Sequence, residues 1–147
     1  MNIEVNGVSI TLTADQLAEI ARQTNKFKSY KDITSFEAAC EHLIVDTSRF
    51  YANLDGLTNS EIALRKLKLI VRAIRSFSGW FPRLTDSNQY KYWYWFYHKN
   101  GVFSYYAATY NDSDLNVPSA LLLESSEQAQ FLGQTHLGLF KVYMTEE

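Results

Sequence analysis

Apolar and polar residues alternate over the first twelve residues of the chain, which predicts a β-hairpin. Asn6-Gly7, at its centre, is a preferred sequence for a two-residue type I′ turn, in which both central residues take positive φ. This turn places apolar residues opposite one another: Val5 with Val8, Ile3 with Ile10 and Met1 with Leu12. We therefore expect a hairpin with one apolar and one polar face.

Apolar residues at helical spacing predict four helices in the rest of the chain. The first three each begin with a capping box between a threonine and the third residue of the helix: Thr13 with Gln16, Thr34 with Glu37 and Thr58 with Glu61. The first helix is expected to bury Leu17, Ile20 and Ala21. The fourth begins at Ser125 or Ser126 and carries His136 on its apolar face. Residues 46–57 lack such a pattern, so we expect a loop there.

Half of the chain's 22 aromatic residues lie between Tyr90 and Tyr110, on either side of Asn100-Gly101. This stretch predicts a second β-hairpin with rings on both faces, and the apolar run 119–124 predicts a further strand. The sequence therefore predicts a single α+β domain over residues 1–147, in which an antiparallel sheet that includes the aromatic hairpin packs against about four helices. The N-terminal hairpin either extends this sheet or forms a second, smaller one.

The aromatic hairpin has three interpretations. Rings favour strands for packing reasons alone, so the hairpin as core is the first. As an exposed surface it would bind a protein partner or a second copy of the chain. With lysines between its rings it would instead stack bases and hold phosphates. The candidate interaction residues share one predicted face: Trp93, Trp95, Tyr97, Tyr106, Lys91 and Lys99.

A basic stripe runs along the predicted third helix, about residues 59–77. Its four members lie within about 80° of one another on the helical circumference, away from the apolar face: Arg65, Lys68, Arg72 and Arg75. Residues 61–83 carry six basic side chains and one acidic one, a net +5 in a chain whose total is −2. Such a stripe is either a solvated helix face or a surface for phosphates or acidic partners, and it is the candidate nucleic-acid-binding site.

The sequence offers no catalytic, cofactor or metal motif that we could assign. It has one cysteine, Cys40, in the middle of an apolar helical stripe, which predicts a buried, unreactive thiol. The three histidines are scattered without metal-ligand spacing, and no phosphate-binding glycine loop or nucleophile elbow is present. No secretory signal or membrane-spanning run is visible, so we expect a cytoplasmic protein that does not contact the membrane.

Four segments of the chain form a recognisable set: the N-terminal hairpin followed by LTADQLAEI, then KSYKDITSFEAACEHL, DSNQYKYWYWF and ALLLESSEQAQFLGQTHLGLFKVYM. They resemble segments of small proteins without established activity that are encoded in prophages and conjugative elements of Bacteroidetes. The family's K-Y-x-x-W-F strand and the glycine in its final helix correspond to residues 91–96 and Gly133 here. Tyr94 stands where the family usually has proline, and GWFPRLTDSNQ replaces a loop richer in tryptophan and aspartate.

The resemblance implies a phage-related accessory protein of the bacterial cytoplasm and transfers no functional residue. Together with the hairpin, it favours a non-catalytic protein that acts through protein–protein interaction or self-association. A nucleic-acid-binding protein is the alternative, and an enzyme whose site is not visible in the sequence is the third hypothesis.

Overall fold

A computed structural model describes residues 2–5, 7–111 and 118–146, and its architecture is α+β as predicted. The described strands form two antiparallel hairpins: β1 (Asn2–Val5), β2 (Val8–Thr11), β3 (Lys91–Lys99) and β4 (Val102–Asn111). The described helices are α1 (Ala14–Lys26), α2 (Phe36–Leu43), α3 (Thr47–Ala52), α4 (Asn59–Ser76), α5 (Ser126–Thr135) and α6 (Leu137–Thr145).

The N-terminal hairpin forms a sheet of its own. Val5 pairs with Val8 and Ile3 with Ile10, as the alternation predicts, and Gly7 has φ +77; Met1 lies outside the described residues. Thr13 and Gln16 form the predicted capping box at the start of α1. The expected burial of the α1 stripe is wrong at Ile20, which is 43% exposed. Helix α1 contacts α2, and none of its described side chains belongs to the core cluster.

Helix α4 is the central element of the core. Thr58 and Glu61 form the predicted capping box at its start. Its apolar face is fully buried and packs against α2 and α6: Ala63, Leu67, Ile70, Val71, Ala73 and Ile74. In α2 the cap is Ser35 and not Thr34, because the Ser35 side chain accepts from the Ala38 N–H. The predicted loop at 46–57 contains the short helix α3, which Asp46 caps.

The predicted fourth helix is interrupted at His136, which separates α5 from α6. The backbone of His136 leaves the helical conformation (φ −108, ψ 28), and its buried ring forms a 2.9 Å hydrogen bond through Nε2 with the Ile33 carbonyl. Helix α5 packs mainly against the aromatic hairpin and α6 mainly against α4, and Phe140 of α6 also contacts rings of the hairpin.

The predicted strand at 119–124 is reduced to one bridge. Ser119–Leu121 is a 3₁₀ turn, and Leu123 then exchanges two backbone hydrogen bonds of 2.9 Å with Tyr92 of β3. Two carbonyls of this segment accept from a side chain: Arg75 of α4 donates to Leu122 (Nε, 2.7 Å) and to Ser119 (Nη2, 2.6 Å). The Arg75 side chain therefore ties this segment to α4.

Glycine at 133 lets α5 approach the aromatic hairpin closely. A Cβ placed on Gly133 would lie 2.5 Å from Cδ2 and 2.8 Å from Cε2 of the Tyr105 ring, whereas a Cβ on Gly138 of α6 would have no heavy atom within 4 Å.

We expect Gly133→Ala to lower the free energy of unfolding by about 1–3 kcal/mol because the ring must move. Gly138→Ala, the matched control, should raise it by about 0.5–1 kcal/mol through helix propensity. Urea unfolding measures both, and a stabilised Gly133→Ala variant would contradict the close packing.

Ile44 ends α2 in an unfavourable backbone conformation. It has φ 56 and ψ 47, while its side chain is 78% exposed. A left-handed conformation costs an L-residue about 1–2 kcal/mol, and a β-branched one is particularly unsuited to it. Ile44→Gly should therefore raise the free energy of unfolding by about 1 kcal/mol. Ile44→Ala keeps the Cβ and should change it by less than about 0.5 kcal/mol; equal effects of the two substitutions would rule out the backbone explanation.

Candidate interaction surfaces

The aromatic hairpin has the predicted two-residue turn and an unpredicted bulge. Asn100 and Gly101 both have positive φ, 53 and 78. Phe96 pairs with Tyr105 and Trp95 with Ala107, so Tyr106 is an extra residue without a partner on β3. The bulge reverses the facing of the residues that follow it. Tyr110 consequently lies beside Tyr92, with the ring centroids 5.7 Å apart, and not on the face of Trp93.

The inner face of the hairpin belongs to the core. Phe140 of α6 contacts two of its rings, with centroid distances of 4.5 Å to Tyr94 and 4.7 Å to Phe96. Phe96 also stacks on Phe103 at 5.1 Å. The core interpretation is therefore correct for this face.

The outer face carries exposed rings, and we call Trp95, Tyr97, Lys99 and Tyr106 the outer hairpin surface. Trp95 is 49% exposed, Tyr97 46% and Tyr106 70%. The rings of Tyr97 and Tyr106 meet edge to face, 6.0 Å between centroids, and with His98 and Lys99 they line a shallow depression of about 560 Å³. These side chains are available to a partner.

Two of the candidate interaction residues, Trp93 and Lys91, are buried and cannot contribute to that surface. Lys91 donates through Nζ to the carbonyls of Asp86 (2.9 Å) and Gln89 (2.7 Å), so the preceding loop closes over it. Trp93 is 4% exposed, and none of the described residues accepts a hydrogen bond from its Nε1. Alternation along a strand identifies a shared face but cannot show that a loop covers one end of it.

Two of the four residues of the basic stripe on α4 bind backbone carbonyls, and the other two are exposed. Arg75 is partly buried and binds the carbonyls of Ser119 and Leu122, and burial lowers its pKa to about 10. Arg65 donates through Nη1 to the Asn53 carbonyl at 3.2 Å. Lys68 and Arg72 are exposed, and no ion pair with a described carboxylate joins them. Lys68 and Arg72 also lie beside a cavity at α4.

That cavity, which we call the basic pocket, has a volume of about 570 Å³. Lys68, Arg72 and Arg75 line its side on α4, and Trp80, Phe81 and Pro82 line the opposite side. Sequence reasoning assigned no role to Trp80 and Phe81. Two adjacent rings directly after a basic helix were the signal that could have identified them.

The histidines and the cysteine have separate environments. His42 stacks on Phe77, with centroids 4.4 Å apart, and bonds to Ser76 Oγ at 2.7 Å, whereas the His136 ring bonds to Ile33. Cys40 is 1% exposed, and burial raises the pKa of its thiol. Within residues 2–5, 7–111 and 118–146, no three His, Cys, Asp or Glu side chains form a group that could hold a metal ion.

Comparison of the chain with protein-family models, curated proteins and solved structures gives no match. Of the helices that the structure describes, none has the length and apolar character needed to cross a bilayer.

The buried His136 and the partly buried His42 should make stability depend on pH. Desolvation lowers the pKa of His136 and of His42 below the ordinary 6.5. The unfolded chain then binds protons first as the pH falls. The contribution of the two rings to the free energy of unfolding is complete above their pKa in the unfolded chain. It is lost as the pH falls through their lower pKa in the folded protein, so the free energy of unfolding should decrease from pH 7 to about pH 5. Urea unfolding at both pH values and NMR titration of the rings test this; a His136 ring titrating at or above 6.5 would contradict it.

Proposed function

We propose that the protein is a non-catalytic accessory protein that binds a protein partner through the outer hairpin surface. The supporting observation is the exposure of Trp95, Tyr97 and Tyr106 on one face of a hairpin whose other face is held by the core. Tryptophan and tyrosine are enriched among the few residues that provide most of the binding energy at protein interfaces. The resemblance to prophage and conjugative-element proteins supports a role connected with a mobile element in the bacterial cytoplasm.

The architecture of the hairpin supports binding at low entropic cost. The rings project from paired strands, and the inner face is anchored by Phe96 and its neighbours on Phe140. Aromatic side chains have only two rotatable χ angles, so little conformational freedom is lost when a partner covers them. Tyr106 occupies the bulge, where it makes no cross-strand pair and is 70% exposed. Its exposure is what a contact residue requires.

Nucleic acid is the second candidate, and the exposure of Lys68 and Arg72 is the observation that favours it. Burial of Arg75 and Lys91 reduces the basic surface that the sequence predicted. Binding carried by phosphate contacts would weaken steeply as salt concentration rises. Titration of single-stranded and duplex DNA at two salt concentrations separates this candidate from the first.

We expect Trp95→Ala combined with Tyr106→Ala to weaken association by about thirtyfold or more, because interface anchors contribute about 2 kcal/mol or more. Sedimentation velocity across a wide concentration range measures self-association, and quantitative capture from a bacterial lysate measures binding to another protein. Both side chains are half or more exposed, so the melting temperature should change little.

Phe81→Ala is the matched control, since Phe81 is an equally exposed ring on another surface. It should leave association unchanged. The proposal fails if the native protein neither self-associates nor captures a protein that the double variant loses, or if Phe81→Ala has the same effect as the double variant.

A further inference from the structure

We propose that the basic pocket binds an aromatic anion, a planar ring that carries a phosphate or carboxylate group. This inference does not depend on the outer hairpin surface, which shares no residue with the pocket. A volume of about 570 Å³ is within the usual range for small-molecule sites, which combine apolar walls with a few placed polar groups. None of the ten residues that line the pocket is acidic.

Two lining residues of the pocket, Arg75 and Trp80, are held in place by the protein itself. The Arg75 guanidinium is held by carbonyls at 2.6 and 2.7 Å, and its Cζ lies 5.4 Å from the centroid of the Trp80 ring. The Arg75 guanidinium therefore lies against the Trp80 ring, and its hydrogen bonds hold it there. A ring that enters the pocket meets an apolar surface that loses little freedom on binding.

The loop that carries Trp80 and Phe81 is directed over α4 by its own hydrogen bonds. Gly79, with φ +69, donates its N–H to the Arg75 carbonyl at 2.9 Å and so reverses the chain after the helix. The Phe81 carbonyl then accepts from Gln89 Nε2 at 2.9 Å. The Phe81 ring is nevertheless 71% exposed. A fixed backbone with an exposed ring is the arrangement expected of a stacking wall.

Positive charge lies at the same opening. Lys68 and Arg72 are four residues apart on α4, which places their side chains next to each other on one face of the helix. Both are exposed at the pocket, and no described carboxylate neutralises them. An anionic group bound there neutralises the two cations while its attached ring contacts Phe81. The combination selects against a neutral ring and against an anion without a ring.

The test uses phenyl phosphate and indole-3-acetate as probes, with inorganic phosphate, acetate and neutral indole as their matched partial probes. Binding is followed by NMR through the indole N–H signals of the chain's three tryptophans. We expect both aromatic anions to shift the Trp80 signal and leave that of Trp95 unchanged. They should bind at least about tenfold more tightly than the partial probes. The two probes also show whether phosphate or carboxylate is preferred.

Variants on the helix and loop locate the binding. Arg72→Gln and Phe81→Ala should each weaken binding of the aromatic anions by roughly threefold to tenfold. Arg65→Gln is the matched control: it removes the same charge from the same helix, about 10 Å from Arg72, and it does not line the pocket. It should leave binding unchanged.

Three results would overturn the proposal. One is that neither aromatic anion shifts Trp80 at millimolar concentration, and another is that indole binds as tightly as indole-3-acetate. The third is that Arg65→Gln weakens binding as much as Arg72→Gln does, which would assign the effect to the general field of the basic stripe. A single-stranded oligonucleotide that binds in the same Arg65-dependent way would identify that field as a nucleic-acid surface.

Discussion

Arg75 connects three parts of the chain that are distant in sequence. Its guanidinium extends from α4 to the carbonyls of Ser119 and Leu122 and lies against Trp80. The segment that it holds leads directly to Leu123, which pairs with Tyr92 of the aromatic hairpin. Partly buried carbonyls need donors, and at a pKa of about 10 the side chain is still charged at neutral pH. Arg75 therefore joins α4 to the segment that pairs with the hairpin.

The aromatic hairpin does two things with one set of residue types. Its inner rings fill the space between the strands and helices α5 and α6, where the absence of a side chain at Gly133 admits Tyr105. Its outer rings begin where the loop over Lys91 ends, so the same strand changes from covered to open along its length. Tertiary covering, and not residue type, determines which rings are core.

The local elements were predictable because their signals are local. The Asn100-Gly101 turn, the Thr58–Glu61 capping box and the buried face of α4 each follow from a few neighbouring residues. The break at His136 and the loss of the strand at 119–124 depend on contacts with Ile33 and Arg75, far away in sequence. The two surfaces were half predicted: the exposed rings of the hairpin and the cations of α4 were named, whereas Trp80 and Phe81 of the basic pocket were not. The burial of Trp93 and the partial burial of Arg75 required the tertiary structure.

At the bulge in β4, one residue, Tyr106, stands outside the alternation of inward and outward side chains along the strand. Residues on either side of Tyr106 are already paired with consecutive residues of β3, Phe96 and Trp95. Loss of Tyr106 would leave those pairs in place, whereas loss of another residue within β4 would turn every later side chain to the opposite face. Length variation during evolution can therefore add or remove this ring without disturbing the core, so Tyr106 is free to follow changes in whatever the surface contacts.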